Sequence, residues 1–137
     1  MDTREQTIRL WLSMWLEQRD LGIADVFAKD AVYTESWGPE YHGSTAIRHW
    51  FDEWNTRGTV LTWDIQQFFH SGACTAVVWY FQYAMSGAAP AEFDGVSVVT
   101  WTADGKIASL KEYGCSRGVY DPYQNGDPPV FREQPTI

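Results

Sequence analysis

Basic residues are scarce in this chain, cysteines scarcer, and a long apolar run is missing altogether. Ten Lys and Arg stand against eighteen Asp and Glu, giving a formal net charge of −8. Nucleic acids and anionic membrane surfaces both demand a clustered basic patch; none is present, so neither is an expected partner. No run of apolar residues is long enough to span a bilayer. The opening Met-Asp-Thr-Arg-Glu-Gln does not combine a basic region with a following apolar stretch, as a signal peptide would, and the expectation is a cytoplasmic protein. Cys74 and Cys115 are the only two cysteines and have no metal-ligand spacing. Free thiols are the default for them, with one bridge between neighbouring strands as the alternative. The three histidines, His42, His49 and His70, also lack ligand spacing, so neither a metal nor another cofactor is expected.

Aromatic residues are what the chain has in surplus. They make up 16% of its 137 residues, with eight tryptophans. Tryptophan offers a large contact area but is seldom fully buried, so this surplus suggests a ring-lined pocket or a subunit interface. The length suits one hydrophobic core and is short for two.

Hydrophobic periodicity divides the chain into helices first and strands later. Ile8, Trp11, Leu12 and Trp15 recur on one helical face, with Asp2 or Thr3 as cap. A short helix over 21–28 presents Ile23, Val26 and Phe27. Residues 31–37 then change to a period of two, and Gly38-Pro39 ends that strand. A third helix follows Gly43, with Ser44 as its cap and Ile47, Trp50, Phe51 and Trp54 on its buried face. It is expected to end near Arg57-Gly58. Residues 60–69, 73–85, 93–101 and 107–115 read as four strands, and Asp104-Gly105 is the strongest hairpin signal. After Gly118 the composition turns to Pro, Gly, Asp and Gln. The expected organisation is one domain over 1–118 and an irregular tail over 119–137.

Helices followed by a strand meander indicate an α+β domain with helices covering one sheet face. Residues 76–83 are apolar at both parities, which argues for a second cover on the other face. A homodimer through the sheet face is the favoured cover, and a self-curled sheet around a larger core is the alternative.

Three sequence features, in order, resemble the nuclear transport factor 2-like superfamily, in the style of its SnoaL-like and ketosteroid-isomerase-like branches. They are Asp30-Ala31-Val32-Tyr33-Thr34-Glu35-Ser36-Trp37-Gly38, the turn Tyr41-His42-Gly43, and the helix Ala46-Ile47-Arg48-His49-Trp50-Phe51. Phe93-Asp94-Gly95-Val96-Ser97, Asp104-Gly105-Lys106-Ile107 and Leu110-Lys111-Glu112-Tyr113 extend the resemblance, which covers about residues 5 to 116. It implies a cone-shaped, curved antiparallel sheet wrapped around the N-terminal helices. It also implies a proton-shuttling acid after the first strand, a position that falls on Glu35. The tyrosine that helps hold the developing oxyanion in ketosteroid isomerases falls near Trp11 and the late acid on Ser97, so that donor pair is absent here.

The candidate catalytic residues are therefore Glu35, Glu112, Ser97, His42 and Asp94. Glu35 lies between Tyr33 and Trp37 on one strand face, where ring burial would raise its pKa toward that of a useful base. Glu112 is on the last strand; two carboxylates in one cavity would push their pKa values apart. Ser97 could donate one bond, and His42 could shuttle protons near neutrality. Asp94 has strand parity opposite to Ser97. The candidate pocket residues are Trp11, Trp15, Tyr33, Trp37, Trp50, Trp54 and Tyr80. Tyr80 and Tyr83 differ in parity, so an unbulged strand puts only one of them in a pocket.

Three functions remain open at this point. One is cofactor-free acid–base catalysis by an isomerase, cyclase, dehydratase or hydrolase on a small apolar, oxygen-containing molecule. The others are non-catalytic binding of a small hydrophobic ligand, and a dimeric scaffold whose cavity is filled by side chains.

Overall fold

A computed structural model describes residues 2–132. Helix α1 (Thr3–Glu17) begins where the Asp2 carboxylate accepts the backbone N–H groups of Arg4 and Glu5, at 2.8 and 3.3 Å. It ends at Gln18, whose left-handed φ of 56° turns the chain away. Asp20 then accepts the N–H groups of Gly22 and Ile23, both at 2.8 Å, and starts the single turn α2 (Ile23–Val26). This helix is shorter than the periodicity suggests because Phe27 is already extended and opens β1 (Phe27–Thr34).

A turn at 35–39 returns the chain as β2 (Glu40–His42), three residues that are too few to show a period. Helix α3 (Ser44–Trp54) follows. Ser44 is its first residue rather than its cap: Gly43 occupies the cap with φ 94°, and its N–H donates to the Ala31 carbonyl at 2.6 Å. Strands β3 (Gly58–Ser71), β4 (Cys74–Met85), β5 (Ala91–Trp101) and β6 (Ile107–Cys115) form the expected antiparallel meander.

The six strands make one sheet in the order β2-β1-β6-β5-β4-β3. This corrects the expectation of a cone-shaped, curved antiparallel sheet. β6 pairs with β1 in parallel, so the sheet is mixed, and its order runs open from β2 at one edge to β3 at the other. The physical reason is that the chain crosses the helices and the whole meander between β1 and β6. The two strands meet as non-consecutive neighbours whose direction no hairpin dictates.

The helices cover one face of this sheet. Ile8, Trp11, Leu12, Met14 and Trp15 of α1 pack with Ile47, Trp50 and Phe51 of α3 against Val77, Trp79, Val99, Trp101 and Leu110. Their rings meet edge to face, for example Trp11 with Phe27 at 4.8 Å and 84°. Each such pair adds about 0.5–1.5 kcal/mol beyond the area it buries. Cys74 and Cys115 are free thiols. Beyond β6, residues 119–132 form no helix or strand, and the final part of the expected tail, 133–137, lies outside the described residues. Among the described residues no helix is long and apolar enough to cross a membrane.

Candidate functional site

The covered face of the sheet does not close completely on the helices. Between them lies a cavity of about 420 Å³, and eleven of its eighteen lining residues are aromatic. Trp15 of α1 and Trp50 and Trp54 of α3 form the helical side. Strand alternation supplies the sheet side: Trp79, Phe81 and Tyr83 share one parity of β4, and Trp63 and Phe93 stand opposite Phe81 on the neighbouring strands. The Trp79 ring fits because residue 95 is glycine. A Cβ there would lie 2.2 Å from the ring and 2.7 Å from the Tyr113 carbonyl.

Two carboxylates enter this ring-walled space. Glu35 follows β1 at the start of the 35–39 turn, which is held by its own N–H donating to the Pro39 carbonyl at 2.8 Å. The Tyr41 hydroxyl donates to Glu35 Oε2 at 2.7 Å, and the Tyr41 ring stacks on Trp50 at 4.5 Å and 13°. Burial raises the Glu35 pKa above the usual carboxylate value, while the Tyr41 bond, Trp37 and the Arg57 charge pull it back. Glu112 comes from the inward parity of β6 and accepts the Tyr33 hydroxyl at 2.5 Å. Burial is again the main cause of its shift, to about 8, and the Glu35 charge adds to it against the Tyr33 bond. The Tyr33 hydroxyl is itself held well above its ordinary pKa by burial and by Glu112, so it stays a proton donor.

Among the described residues neither Glu35 nor Glu112 has a salt-bridge partner. Arg57 is the cavity's one basic wall residue, and its Nε is engaged by Glu53 at 2.7 Å. The arrangement can therefore take up a proton at one carboxylate and present a proton from the other, in a space walled mainly by aromatic residues.

The remaining candidates divide cleanly. Trp15, Tyr33, Trp37, Trp50 and Trp54 line the cavity with Glu35 and Glu112. Trp37 is 69% exposed at the 35–39 turn. Trp11 is fully buried in the core behind the cavity wall. Ser97 is on the inward parity of β5 but is also outside the wall, where its Oγ accepts the Trp79 indole N–H at 2.9 Å. His42 is an exposed β2 residue paired with Glu40 at 3.0 Å. Asp94 and Tyr80 lie on the opposite sheet face, where Arg117 reaches Asp94 at 3.5 Å and covers the Tyr80 ring. Tyr83 is the strand tyrosine that reaches the cavity.

The sequence reading did not single out Tyr41, Arg57, Trp63, Trp79, Phe81 and Phe93 as site residues. Residues 79, 81 and 83 share a parity, but residues 76, 78 and 80 between them are apolar or aromatic too, so alternation did not mark the wall. Arg57 read as a helix terminator, and nothing in a three-residue strand marked Tyr41.

One mixed cluster of acids and a histidine stands away from the cavity, at the N-terminal end of α1. His70 Nε2 lies 2.8 Å from Glu5 and 4.0 Å from Asp2, and its Nδ1 is 2.8 Å from the Thr75 hydroxyl. These groups tie the β3–β4 hairpin to the helix N-terminus, and they contribute nothing to the cavity wall.

Comparison with known proteins matches residues 8–110 to the family model described as the SnoaL-like domain. No curated protein matches the chain. Among solved structures, one similar to it is a protein of ketosteroid isomerase-like fold from Catenulispora acidiphila, in complex with trimethylamine. It is 18% identical with a TM-score of 0.68, over 81% of this chain and 85% of that one. An LEH-like epoxide hydrolase of M. tuberculosis is 14% identical with a TM-score of 0.72, over 82% of each chain. A steroid delta-isomerase from Pseudomonas aeruginosa is 16% identical with a TM-score of 0.60, over 85% of this chain and 82% of that one. At these identities the likeness is one of fold, and the fold serves several small-molecule chemistries.

Proposed function

The chain belongs to the SnoaL-like domain family, and from that premise we propose that it is a cofactor-free acid–base enzyme acting on a small apolar molecule that carries oxygen. The observation that carries this reading is the pair of carboxylates, Glu35 and Glu112, set in one aromatic cavity and both shifted upward by burial. Glu35 is the base. Its single hydroxyl donor, Tyr41, favours the ionised form and fixes the direction of the carboxylate without neutralising it. Glu112 is the group that retains its proton at neutral pH; the Tyr33 hydroxyl donates to it and orients it, and the Glu112 proton holds the substrate oxygen as negative charge develops there. The rings accept the apolar body and exclude water.

Isomerisation, cyclisation, dehydration and hydrolysis all begin with a proton moved under such control, and the fold relatives that act as an epoxide hydrolase and a steroid isomerase are compatible with it. The test is turnover of a panel of apolar ketones, enones, epoxides and allylic alcohols by the wild-type chain and by Glu35→Gln. The expected result is turnover of one class and a loss of roughly 10²–10⁴-fold in the variant with the fold intact. Turnover that survives the substitution overturns the assignment of the base. Absence of turnover across all four classes favours the ligand-binding alternative.

The assembly belongs to the same proposal. Val78, Val96 and Val98 lie on the sheet face away from the helices, flanked by Tyr80 and by Tyr113, which is 51% exposed. A second copy laid across this face would cover them.

A further inference from the structure

We propose that the cavity selects an apolar molecule bearing an alkylammonium group, the cation lying against the tryptophan faces with Glu35 as its counter-charge. The inference deepens the proposed function and rests on the same cavity being open to a ligand.

Charge placement is the first argument. Glu35 and Glu112 have no salt-bridge partner among the described residues, although both are set into a wall made mainly of rings. A carboxylate withdrawn from water without a cation costs several kcal/mol in general, and this cost is relieved when a cation enters beside it. Among the described residues the wall offers Glu35 the Arg57 charge but no ion-pair contact. Arg57 is the one basic residue on the wall, and it is already paired with Glu53. A neutral ligand leaves the ionised Glu35 without an ion-pair partner, whereas an ammonium supplies one.

Ring geometry is the second. Trp15 meets Trp50 at 4.9 Å and Trp54 at 5.4 Å, with planes inclined by 56° and 80°. These rings pack on one another and, with Trp37, Trp63 and Trp79, wall the same space. The negative face of an indole attracts a cation, and several such faces form the cage that recognises methylated ammonium groups. Glu35 stands next to this group through Tyr41, which stacks on Trp50 and donates to Glu35.

The groups facing Glu35 determine how binding responds to pH. They are Tyr41 from β2, Arg57 after α3, Trp37 from the adjoining turn, and Tyr33 and Glu112 from β1 and β6. Both carboxylates are raised, so ionisation strengthens the cation site. Ammonium affinity therefore falls on acidification as Glu35 is protonated, at a pH above that of an ordinary carboxylate. It rises again as pH passes about 8 and Glu112 ionises.

Isothermal titration of the full chain with choline and with 3,3-dimethylbutan-1-ol tests this directly, because the two probes differ in a quaternary nitrogen replaced by carbon. At pH 8 choline is expected to bind about tenfold more tightly or better. Glu35→Gln should remove most of that preference while leaving the alcohol's affinity unchanged, and choline should weaken from pH 8 to pH 5 while the alcohol does not. Equal or tighter binding of the alcohol overturns the proposal, as does a preference that survives in the double variant Glu35→Gln/Glu112→Gln, or failure of both probes to bind. The readout involves no turnover. A choline preference together with normal turnover in Glu35→Gln would therefore reject the base and keep the cation site, and the reverse pattern would reject only the cation.

Discussion

Glu35 and Glu112 are both desolvated at the wall of one cavity, yet they are expected to behave differently because their neighbours differ. Glu112 is pushed to about 8 by burial and by the nearby Glu35 charge. An unfolded chain releases that proton near 4.5, so between about 4.5 and 8 the folded protein holds a proton that the unfolded chain does not. Stability contributed by this group is full below 4.5, declines as pH rises toward 8, and is level above it. The slope is at most about 1.4 kcal/mol per pH unit for one proton. Glu112→Gln keeps an oxygen to accept the Tyr33 hydroxyl and should flatten the profile, which thermal denaturation from pH 5 to 9 would reveal; an unchanged slope would remove Glu112 as its source. Tyr41 offers a second test at this scale. Its hydroxyl stabilises ionised Glu35, so Tyr41→Phe should raise the Glu35 pKa and move the acidic limb of the pH–rate profile upward. A limb that stays in place would mean that the bond does not govern the base.

At the scale of elements, the cavity depends on how β4 and β5 face each other. Gly95 gives the Trp79 ring its place, and Ser97, two residues on at the same parity, accepts the Trp79 indole N–H. Gly95→Ala puts a methyl into both the ring and the Tyr113 carbonyl, which requires Trp79 to move. The expected cost is about 1–3 kcal/mol, read by urea denaturation, together with loss of ligand binding. A variant with wild-type stability would show that the close approach is easily relieved. Much of this level was legible in the sequence. The helical faces of α1 and α3 were set by apolar spacing, and the meander by alternation and by Asp104-Gly105. Glu35 was legible as a candidate because it lies between Tyr33 and Trp37, and Glu112 because the family resemblance turns its face of the last strand toward a pocket. The inward face of the sheet was not, because residues 76–83 are apolar at both parities and alternation then has no preferred side. Nor was Ser97's role, since the family position suggested an oxygen binder while the fold uses that hydroxyl to hold a tryptophan. The cone-shaped antiparallel sheet failed for a related reason: the pairing of β1 with β6 is a contact across most of the chain, and local pattern carries no information about its direction.

The whole molecule joins an open mixed sheet, a helical cover and a cavity of about 420 Å³ between them. The outer face with Val78, Val96 and Val98 is expected to carry a second copy, so sedimentation should give twice the 15.7 kDa chain mass at micromolar concentration. A monomer would mean that this face tolerates water. The central claim is that one cavity holds two carboxylates of different proton affinity, and a direct test is carbon-13 NMR titration of the glutamate side chains, with Glu35→Gln and Glu112→Gln providing the assignments. The account predicts that Glu112 titrates near 8, well apart from Glu35, and that it titrates lower once the Glu35 charge is removed. If both carboxylates instead titrate as ordinary exposed acids, independent of each other, the cavity does not separate an acid from a base and the catalytic account is contradicted.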